Sequence, residues 1–288
     1  DMSVITEPAL VEHLCSRLPE RGYSNVALVE SQNVYGNWFK NRGVETVAKY
    51  AGYDLSSDDY HLVDLTLDTV AHEYEGDLGM YLVGKTWRDA DFRVSFAKNK
   101  THFSTKFTLT IKNIYGTTPE QNKFREYHRD REVDHVTVEM LKEFPVHFGI
   151  VDGVWSSDGL LGIKGDLSPK HTQVIYAGDN LVAVDMVGGR MMGVDPRQSS
   201  FVRLAAQELG TPDFDVIGDD SRHENWDNVP PGIEHVLNFG EEYYGISNLL
   251  GLLSSEMDPV FPLKTSSKIT IWVRQLVLKV LQTISRYE

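Results

Sequence analysis

Short apolar runs alternate with amphipathic segments along the first two-thirds of the chain. A short apolar run between turn residues is typical of a buried strand, and apolar residues every three or four positions indicate a helix. Strands are predicted near residues 26–29, 61–65, 81–83, 92–96, 146–151 and 174–177, and helices near 7–20, 44–52, 135–142, 179–192 and 199–209. This alternation predicts an α/β fold with a mostly parallel sheet and flanking helices.

The last quarter of the chain has a different pattern, rich in aromatic and leucine residues. We therefore predict an α/β core over residues 1–218 and an appended C-terminal helical segment over 219–288. As a helix, residues 269–284 carry two adjacent apolar stripes, interrupted by Arg274 and Lys279. The run is too polar and too short to span a bilayer. We expect it to pack on the core, to join subunits of a homo-oligomer or to lie on a membrane surface.

The predicted strand at 92–96 leads directly into a basic cluster, Lys98-Asn99-Lys100-Thr101-His102. The cluster is thus predicted at the carboxyl end of a strand, where open α/β sheets form their ligand crevices. The following segment, 105–114, is ambiguous. Its alternating apolar residues favour a strand, whereas a helix would bring Thr108 and Lys112 onto one face.

The charge of the chain is unevenly distributed. The net charge of −14 disfavours general binding to nucleic acid or anionic lipid. Residues 85–131, however, hold 11 basic and 5 acidic side chains, a local charge of +6, and the remaining residues sum to −20. A positive region in an acidic protein attracts small anions such as phosphates and carboxylates. We therefore predict that this region binds a small anionic molecule. The alternative is that its basic side chains form an ordinary solvated face without a ligand.

The chain has one cysteine, Cys15. A single cysteine excludes an internal disulfide and a cysteine-ligated iron–sulfur cluster within this chain. No signal-peptide pattern opens the sequence, and no apolar run of about 18 residues would span a membrane. These features predict a cytoplasmic protein without a transmembrane segment.

The basic region concentrates side chains with catalytic chemistry. Lysine neutralises an anion, forms an adduct with a carbonyl group, or acts as a base when burial lowers its pKa. Histidine transfers protons near neutral pH or binds a transition metal. The anion-binding candidates are Lys98, Lys100, Lys112 and Arg125, and the histidines of the region are His102 and His128.

Three carboxylates could supply counter-charges to this site or ligands for a hard cation: Asp152, Asp179 and Asp185. Each has a structural alternative. Asp152 could form a turn after a strand, and Asp179 could cap the following helix. Asp185 lies among apolar neighbours, so a structural role would require a buried partner.

Several motifs resemble the central signature of the domain of unknown function 362 family. They are Ala90-Asp91-Phe92-Arg93-Val94, Lys98 to His102, Ile111 to Gly116, His128, Ile150 to Gly153, Ala177 to Asp185 and Met192 to Pro196. The resemblance covers roughly residues 5 to 218. The function of that family is largely unassigned. Many of its members also carry a ferredoxin-like, cysteine-rich segment, which this sequence lacks.

A more distant resemblance is to the nickel-pincer lactate racemase family. As in that family, a lysine (Lys112) follows a histidine (His102) by ten positions, and a second histidine (His128) follows sixteen positions later. The resemblance implies that His102 transfers protons, that Lys112 holds the cofactor and that His128 binds the metal. The chain departs from the family where a glycine pair precedes the lysine, because Thr110-Ile111 stands here.

Two functions follow from these patterns. The first is a metal- or lysine-dependent acid/base enzyme of the racemase or isomerase type, with His102 and Lys112 as catalytic residues. Its cofactor is unknown, and nickel, zinc or iron at His128 is the metal alternative. The second is a non-catalytic module that senses or carries an anionic metabolite, which would need the lysines but not the histidines.

Overall fold

The computed structural model describes residues 3–129, 131–159, 169–229, 260–265 and 267–284, without the side chains of 124, 128, 129, 277, 278 and 280–284. The strands are β1 (Ala27–Glu30), β2 (His61–Asp64), β3 (Thr69–Glu73), β4 (Met80–Gly84), β5 (Val94–His102), β6 (Lys106–Thr108), β7 (Phe148–Ser157), β8 (Pro169–Lys170) and β9 (Val174–Gly178). The helices are α1 (Pro8–Arg17), α2 (Val44–Ala51), α3 (Lys85–Asp89), α4 (Thr110–Asn113), α5 (Val133–Glu143), α6 (Leu181–Met191), α7 (Ser200–Glu208) and α8 (Lys268–Ile284). Shorter helical turns lie at Pro19–Arg21, Val34–Asn37, Ile114–Thr117, Phe124–Arg129 and Pro196–Gln198.

The main sheet has the order β6-β5-β7-β8, and β9 also pairs with β7. Its centre is the parallel pair β5–β7, in which Val94 lies opposite Phe148 and Lys98 opposite Asp152. Strands β6, β8 and β9 are antiparallel to their neighbours. The sheet is therefore mixed around a parallel centre. The predicted α/β class, with flanking helices and a C-terminal helix, is confirmed.

Two small sheets complete the strand pairing. Strands β1 and β2 are parallel, and β3 and β4 form an antiparallel pair. Strand β3 is absent from the sequence-based prediction, because its residues lack a long apolar run. The alternating pattern at 105–114 divides into the short strand β6 and the short helix α4.

The two faces of the main sheet are covered by different layers. Helices α4 to α7 pack on one face, to which Ser95 of β5 projects and donates a hydrogen bond to the Thr110 carbonyl at 2.8 Å. Gly149 of β7 permits this approach, because a Cβ there would lie 3.0 Å from Thr110 Cγ2. Phe96, on the opposite face, packs against a cluster that contains Val11 and Cys15. Alternation along β5 thus assigns neighbouring residues to different layers.

Cys15 lies on the buried side of α1, in the same apolar cluster as Val11. The residue is buried, and burial raises the pKa of its thiol to about 11. A thiol with a raised pKa is a poor nucleophile. The geometry therefore agrees with a packing role for this cysteine.

The start of α6 differs from the sequence-based alternative. The cap of α6 is Asn180, whose side-chain oxygen accepts a hydrogen bond from the Ala183 amide at 3.1 Å. Asp179 is exposed and precedes this cap, so its predicted capping role is wrong. Helix α1 starts at Pro8 after Glu7. Thr6, just before this helix, donates its hydroxyl to the Phe96 carbonyl at 3.3 Å.

Segments beyond residue 218 contact the α/β core. The His223 amide donates to the Met191 carbonyl at 2.7 Å, and Phe39 forms an isolated β-bridge with Leu263. Helix α8 exposes Ile269, Trp272 and Leu276. The division at residue 218 stays a prediction, as does the role of α8 in a homo-oligomer. Within the described residues, we find no helix with the length and apolarity needed to cross a membrane.

Candidate functional site

Three polar side chains form a row across the main sheet. Lys100 of β5 lies opposite Thr108 of β6 and opposite Ser157 of β7. Residues in register on neighbouring strands project from the same face of a sheet, with Cβ atoms about 4.5–5.5 Å apart in an antiparallel pair. Lys100 therefore projects between two hydroxyl groups. We call Thr108, Lys100 and Ser157 the Lys100 row.

Both hydroxyl groups of the row are buried. Within the described part of the chain, neither Thr108 Oγ1 nor Ser157 Oγ has a hydrogen-bond partner. Buried polar groups in folded proteins are nearly always hydrogen-bonded, so two such hydroxyls beside one amine are unusual. The adjacent Ser156 shows the ordinary arrangement, because its hydroxyl accepts a hydrogen bond from Asn99 Nδ2 at 2.9 Å. The Lys100 row thus holds two unsatisfied hydroxyls.

The Lys100 amine lies deep among protein atoms, although part of the side chain reaches solvent. Its Nζ donates to the Val4 carbonyl at 3.3 Å. In the regions that the structure describes, no carboxylate forms an ion pair with it. Burial, and secondarily the charge of Lys98, lowers the pKa of the Lys100 amine to about 8. An amine with this pKa exchanges protons close to neutral pH.

Lys98 occupies the same face but is neutralised. Its Nζ lies 2.8 Å from Asp152 Oδ2, and both side chains are almost completely buried. The Asp152 carboxylate also accepts hydrogen bonds from the amides of Glu7 at 2.9 Å and Val154 at 3.0 Å. Asp152 is therefore inside β7, and its interpretation as a turn after the strand is wrong. The pair ties the sheet to the start of α1.

His102 follows Lys100 on the same face of β5, about 6.5 to 7 Å along the strand. Its Nδ1 accepts a hydrogen bond from the Ser104 amide at 3.3 Å, and its ring stacks on Phe103. Because Nδ1 accepts, the neutral ring carries its proton on Nε2. The basic cluster is thus within β5 and not beyond its end, which corrects the sequence-based placement.

Lys112 belongs to α4, in the helical layer on the other face of the sheet. Its Nζ donates to Thr105 Oγ1 at 3.3 Å and lies 6.0 Å from the centre of the Phe201 ring. Arg125 is exposed on the short helix Phe124–Arg129. The sheet therefore separates Lys112 from Lys100. The proposed roles of Lys112 and Arg125 stay predictions.

Asp185 has buried hydrogen-bond partners, as a structural role for this residue requires. Its Oδ1 accepts hydrogen bonds from the amide and the hydroxyl of Thr110, at 2.8 and 2.5 Å, and its Oδ2 accepts from the Ile111 amide at 3.0 Å. The carboxylate thus satisfies the free amides at the start of α4. It fixes the helix that carries Lys112.

The buried Asp185 carboxyl group makes the free energy of unfolding depend on pH. Burial raises the pKa of Asp185 from 3.8 to about 7, although the Thr110 and Ile111 hydrogen bonds oppose the change. The folded state therefore retains the proton more strongly than the unfolded state, and the stability gained from it is lost as pH rises from about 4 through 7. We expect Asp185→Asn to flatten the free energy of unfolding across this range, measured by urea denaturation. An unchanged pH dependence in the variant would refute this assignment.

Other cations of the basic region have structural partners. Lys123 Nζ donates to Ser31 Oγ, to the carbonyls of Gly116 and Thr118 and to Thr118 Oγ1. Arg93 donates to the Trp87 carbonyl at 2.8 Å. The positive charge of residues 85–131 is therefore partly used to hold loops together.

A separate cavity of about 800 Å³ opens beside β1 and β2. Its lining includes four carboxylates and no lysine or arginine; the acidic residues are Glu45, Asp58, Asp59 and Asp64. Such a surface repels anions. The electrostatics therefore favour the Lys100 row over this cavity as an anion site.

The residues before Lys112 do not fit the nickel-pincer cofactor that the distant resemblance implies. Thr110 and Ile111 are completely buried, and both of their amides donate to Asp185. A glycine pair would leave the backbone open to the cofactor, whereas the side chains of Thr110 and Ile111 cover it. In the described regions, no cluster of three metal-binding side chains occurs. The His128 side chain lies outside those regions, so its metal role stays a prediction.

The fold and site define an α/β protein whose mixed sheet carries a lysine in register with two buried hydroxyl residues. The chain belongs to the family described as Domain of unknown function (DUF362), whose profile matches residues 1–190. It is 27% identical over 131 residues to the "Thylakoid-associated protein sll1697" of Synechocystis sp. (strain ATCC 27184 / PCC 6803 / Kazusa). That alignment covers 44% of this chain and 39% of the relative, so the chain spans about two-fifths of the relative's length. No solved structure matches the chain.

Proposed function

We propose that the chain binds a small carboxylate- or phosphate-bearing metabolite at the Lys100 row. The observation that carries the proposal is Lys100, which stands in register with two buried, unsatisfied hydroxyl residues and has no carboxylate partner among the described residues. An anion would supply the missing counter-charge. Its oxygens would also accept hydrogen bonds from Thr108 and Ser157.

The donors of the row suit an oxyanion. An ammonium group has three hydrogens, and the Val4 carbonyl accepts a long hydrogen bond from the Lys100 Nζ. Hydrogen bonds to charged groups contribute about 1.5–3 kcal/mol each, and those between neutral groups about 0.5–1.5 kcal/mol. The lysine would therefore dominate affinity, and the hydroxyls would orient the bound oxygens.

His102 would supply acid/base chemistry beside this anion. It projects from the same face, and its Nε2 carries the proton of the neutral ring. Proton transfer next to a carboxylate, as in an isomerase or racemase, requires such a group within reach of the substrate. A binding module without catalysis would need Lys100 but not His102. If the protein is an enzyme, His102→Gln should therefore abolish turnover while anion affinity is retained.

The location of the protein is part of this proposal. A single buried cysteine favours a reducing compartment such as the cytoplasm. The relative's name associates that protein with thylakoids. Fractionation of cells that express the full chain would distinguish a dissolved protein from one attached to a membrane surface.

The neighbouring serines Ser157 and Ser156 provide a matched test of the site. Both are completely buried, but Ser157 Oγ has no described partner and Ser156 bonds Asn99. We expect Ser157→Ala to weaken acetate and phosphate binding about 2- to 10-fold without lowering the free energy of unfolding. Ser156→Ala should lower that free energy by about 1–3 kcal/mol and leave affinity unchanged.

Calorimetric titration and urea denaturation of both variants would measure these effects. Equal loss of affinity in the two variants would contradict a site on the Lys100 face. Failure of the wild-type protein to bind either anion would overturn the proposed function.

A further inference from the structure

We propose that Lys100 is a covalent catalytic residue that forms an iminium ion with the carbonyl carbon of a small oxo acid. This inference rests on the proposed function and names its substrate class. The carboxylate of the oxo acid provides the negative charge, and its carbonyl group provides the reactive carbon.

The surroundings of Lys100 favour an uncharged amine. Burial disfavours the ammonium form, and the charge of Lys98, which projects from the same face two residues earlier, adds a smaller effect. Together these effects bring the pKa of the Lys100 amine to about 8. At pH 7, roughly one amine in ten would then be uncharged, against a few in ten thousand for an ordinary lysine. An uncharged amine is the nucleophile in iminium formation.

Lys123 shows why position matters more than basicity. Burial also lowers its pKa to about 8, but its amine donates to Ser31, Gly116 and Thr118. The Lys123 side chain is buried, whereas Lys100 is partly open to solvent. Lys100 therefore combines a weakly basic amine with a partly exposed side chain, whereas the Lys123 amine is held by four acceptors.

Iminium formation proceeds in two steps, addition of the amine and loss of water. The uncharged Nζ attacks the carbonyl carbon and forms a C–N bond, while the carbonyl oxygen takes up a proton and the nitrogen loses one. The resulting hydroxyl then leaves as water after gaining a second proton, and the nitrogen lone pair forms the C=N bond. One amine, one carbonyl and one proton thus give one iminium ion and one water.

Thr108 and Ser157 stand in register with Lys100 on the same face, so a substrate bound along this row would offer its oxygens to their hydroxyls. His102 lies next along the same face, and its imidazolium form would supply the proton for the loss of water. The charged groups that face Lys100 from the described elements are Lys98 on β5, with His102, and Asp152 on β7. Asp152 is bound to Lys98, so no carboxylate of the described residues pairs with the Lys100 amine.

Reductive trapping tests the proposal. The full chain is incubated with pyruvate, reduced with sodium borohydride and mapped by peptide mass spectrometry. We expect one secondary amine, located at Lys100, with a yield that rises as pH passes through about 8. Lys100→Arg keeps the positive charge but cannot form the adduct, so labelling should disappear. Exposed Lys49, paired with Glu45, reports nonspecific reaction.

The outcomes separate this inference from the proposed function. Equal labelling of Lys49 and Lys100, or undiminished total labelling of Lys100→Arg, would overturn the iminium proposal. If acetate binds wild type and Lys100→Arg but pyruvate leaves no reducible adduct, the covalent step is wrong and anion binding stands. If neither acetate nor pyruvate binds wild type, both proposals fall.

Discussion

Replacement of Asp152 by alanine is expected to lower the free energy of unfolding by about 3–5 kcal/mol. The substitution leaves the buried Lys98 ammonium without its counter-charge, and it removes the acceptor for the amides of Glu7 and Val154. Burial already lowers the pKa of Lys98 against the opposing effect of Asp152, so the isolated charge would be costly. Urea denaturation at pH 7 would measure the change.

A second substitution isolates the charge effect. Combining Lys98→Met with Asp152→Ala removes the unpaired cation, so the double variant should be more stable than Asp152→Ala alone. Lys49→Ala is the control, because its pair with Glu45 is exposed and contributes little. A destabilisation of Asp152→Ala no larger than that of Lys49→Ala would show that the buried pair does not hold β5, β7 and α1 together.

Replacement of Lys100 by methionine is expected to weaken acetate and phosphate binding at least about 10-fold without loss of stability. The estimate follows from the loss of one charge-assisted hydrogen bond, about 1.5–3 kcal/mol. Methionine fills a similar volume and needs no counter-charge, so the folded state should be at least as stable. A structural lysine such as Lys98 would behave in the opposite way.

The pH dependence of this variant has a defined sign. The pKa of Lys100 is lowered in the folded state, so the unfolded chain binds the proton more strongly. Wild-type stability therefore falls as pH decreases from 10.5 through about 8. The advantage of Lys100→Met should be greater at pH 7 than at pH 10. Lower stability of the variant at pH 7 would contradict the assignment of Lys100 as an unpaired cation.

The hydrophobic pattern was sufficient to predict most elements of the fold. Strong apolar periodicity identified α1, α2, β1 and α6 to within a few residues, because burial of one face determines where these elements form. Strand β7 was found but continues six residues beyond the predicted end at Val151. The pattern failed where burial was incomplete. Strand β5 was predicted to end at Phe96, yet it continues through Lys98 and Lys100, because tertiary partners compensate polar side chains that the sequence alone suggests are exposed.

The candidate site was predictable only in part. The alternation of Lys98, Lys100 and His102 signals that they share a face once the strand is known. Thr108 and Ser157 carry no sequence signal, since their place beside Lys100 depends on strand register and on an irregularity in the β5–β7 pairing. Register is a tertiary property, and spacing along the chain does not reveal it.

The central claim is that Lys100 is an anion-binding amine with a lowered pKa. Titration of the lysine side-chain carbons by NMR, with the Lys100 signal assigned from its loss in Lys100→Met, measures this directly. We predict a pKa near 8 without added anion and a higher value with saturating acetate, because bound negative charge favours the ammonium form. An ordinary lysine pKa that acetate does not change would contradict the account.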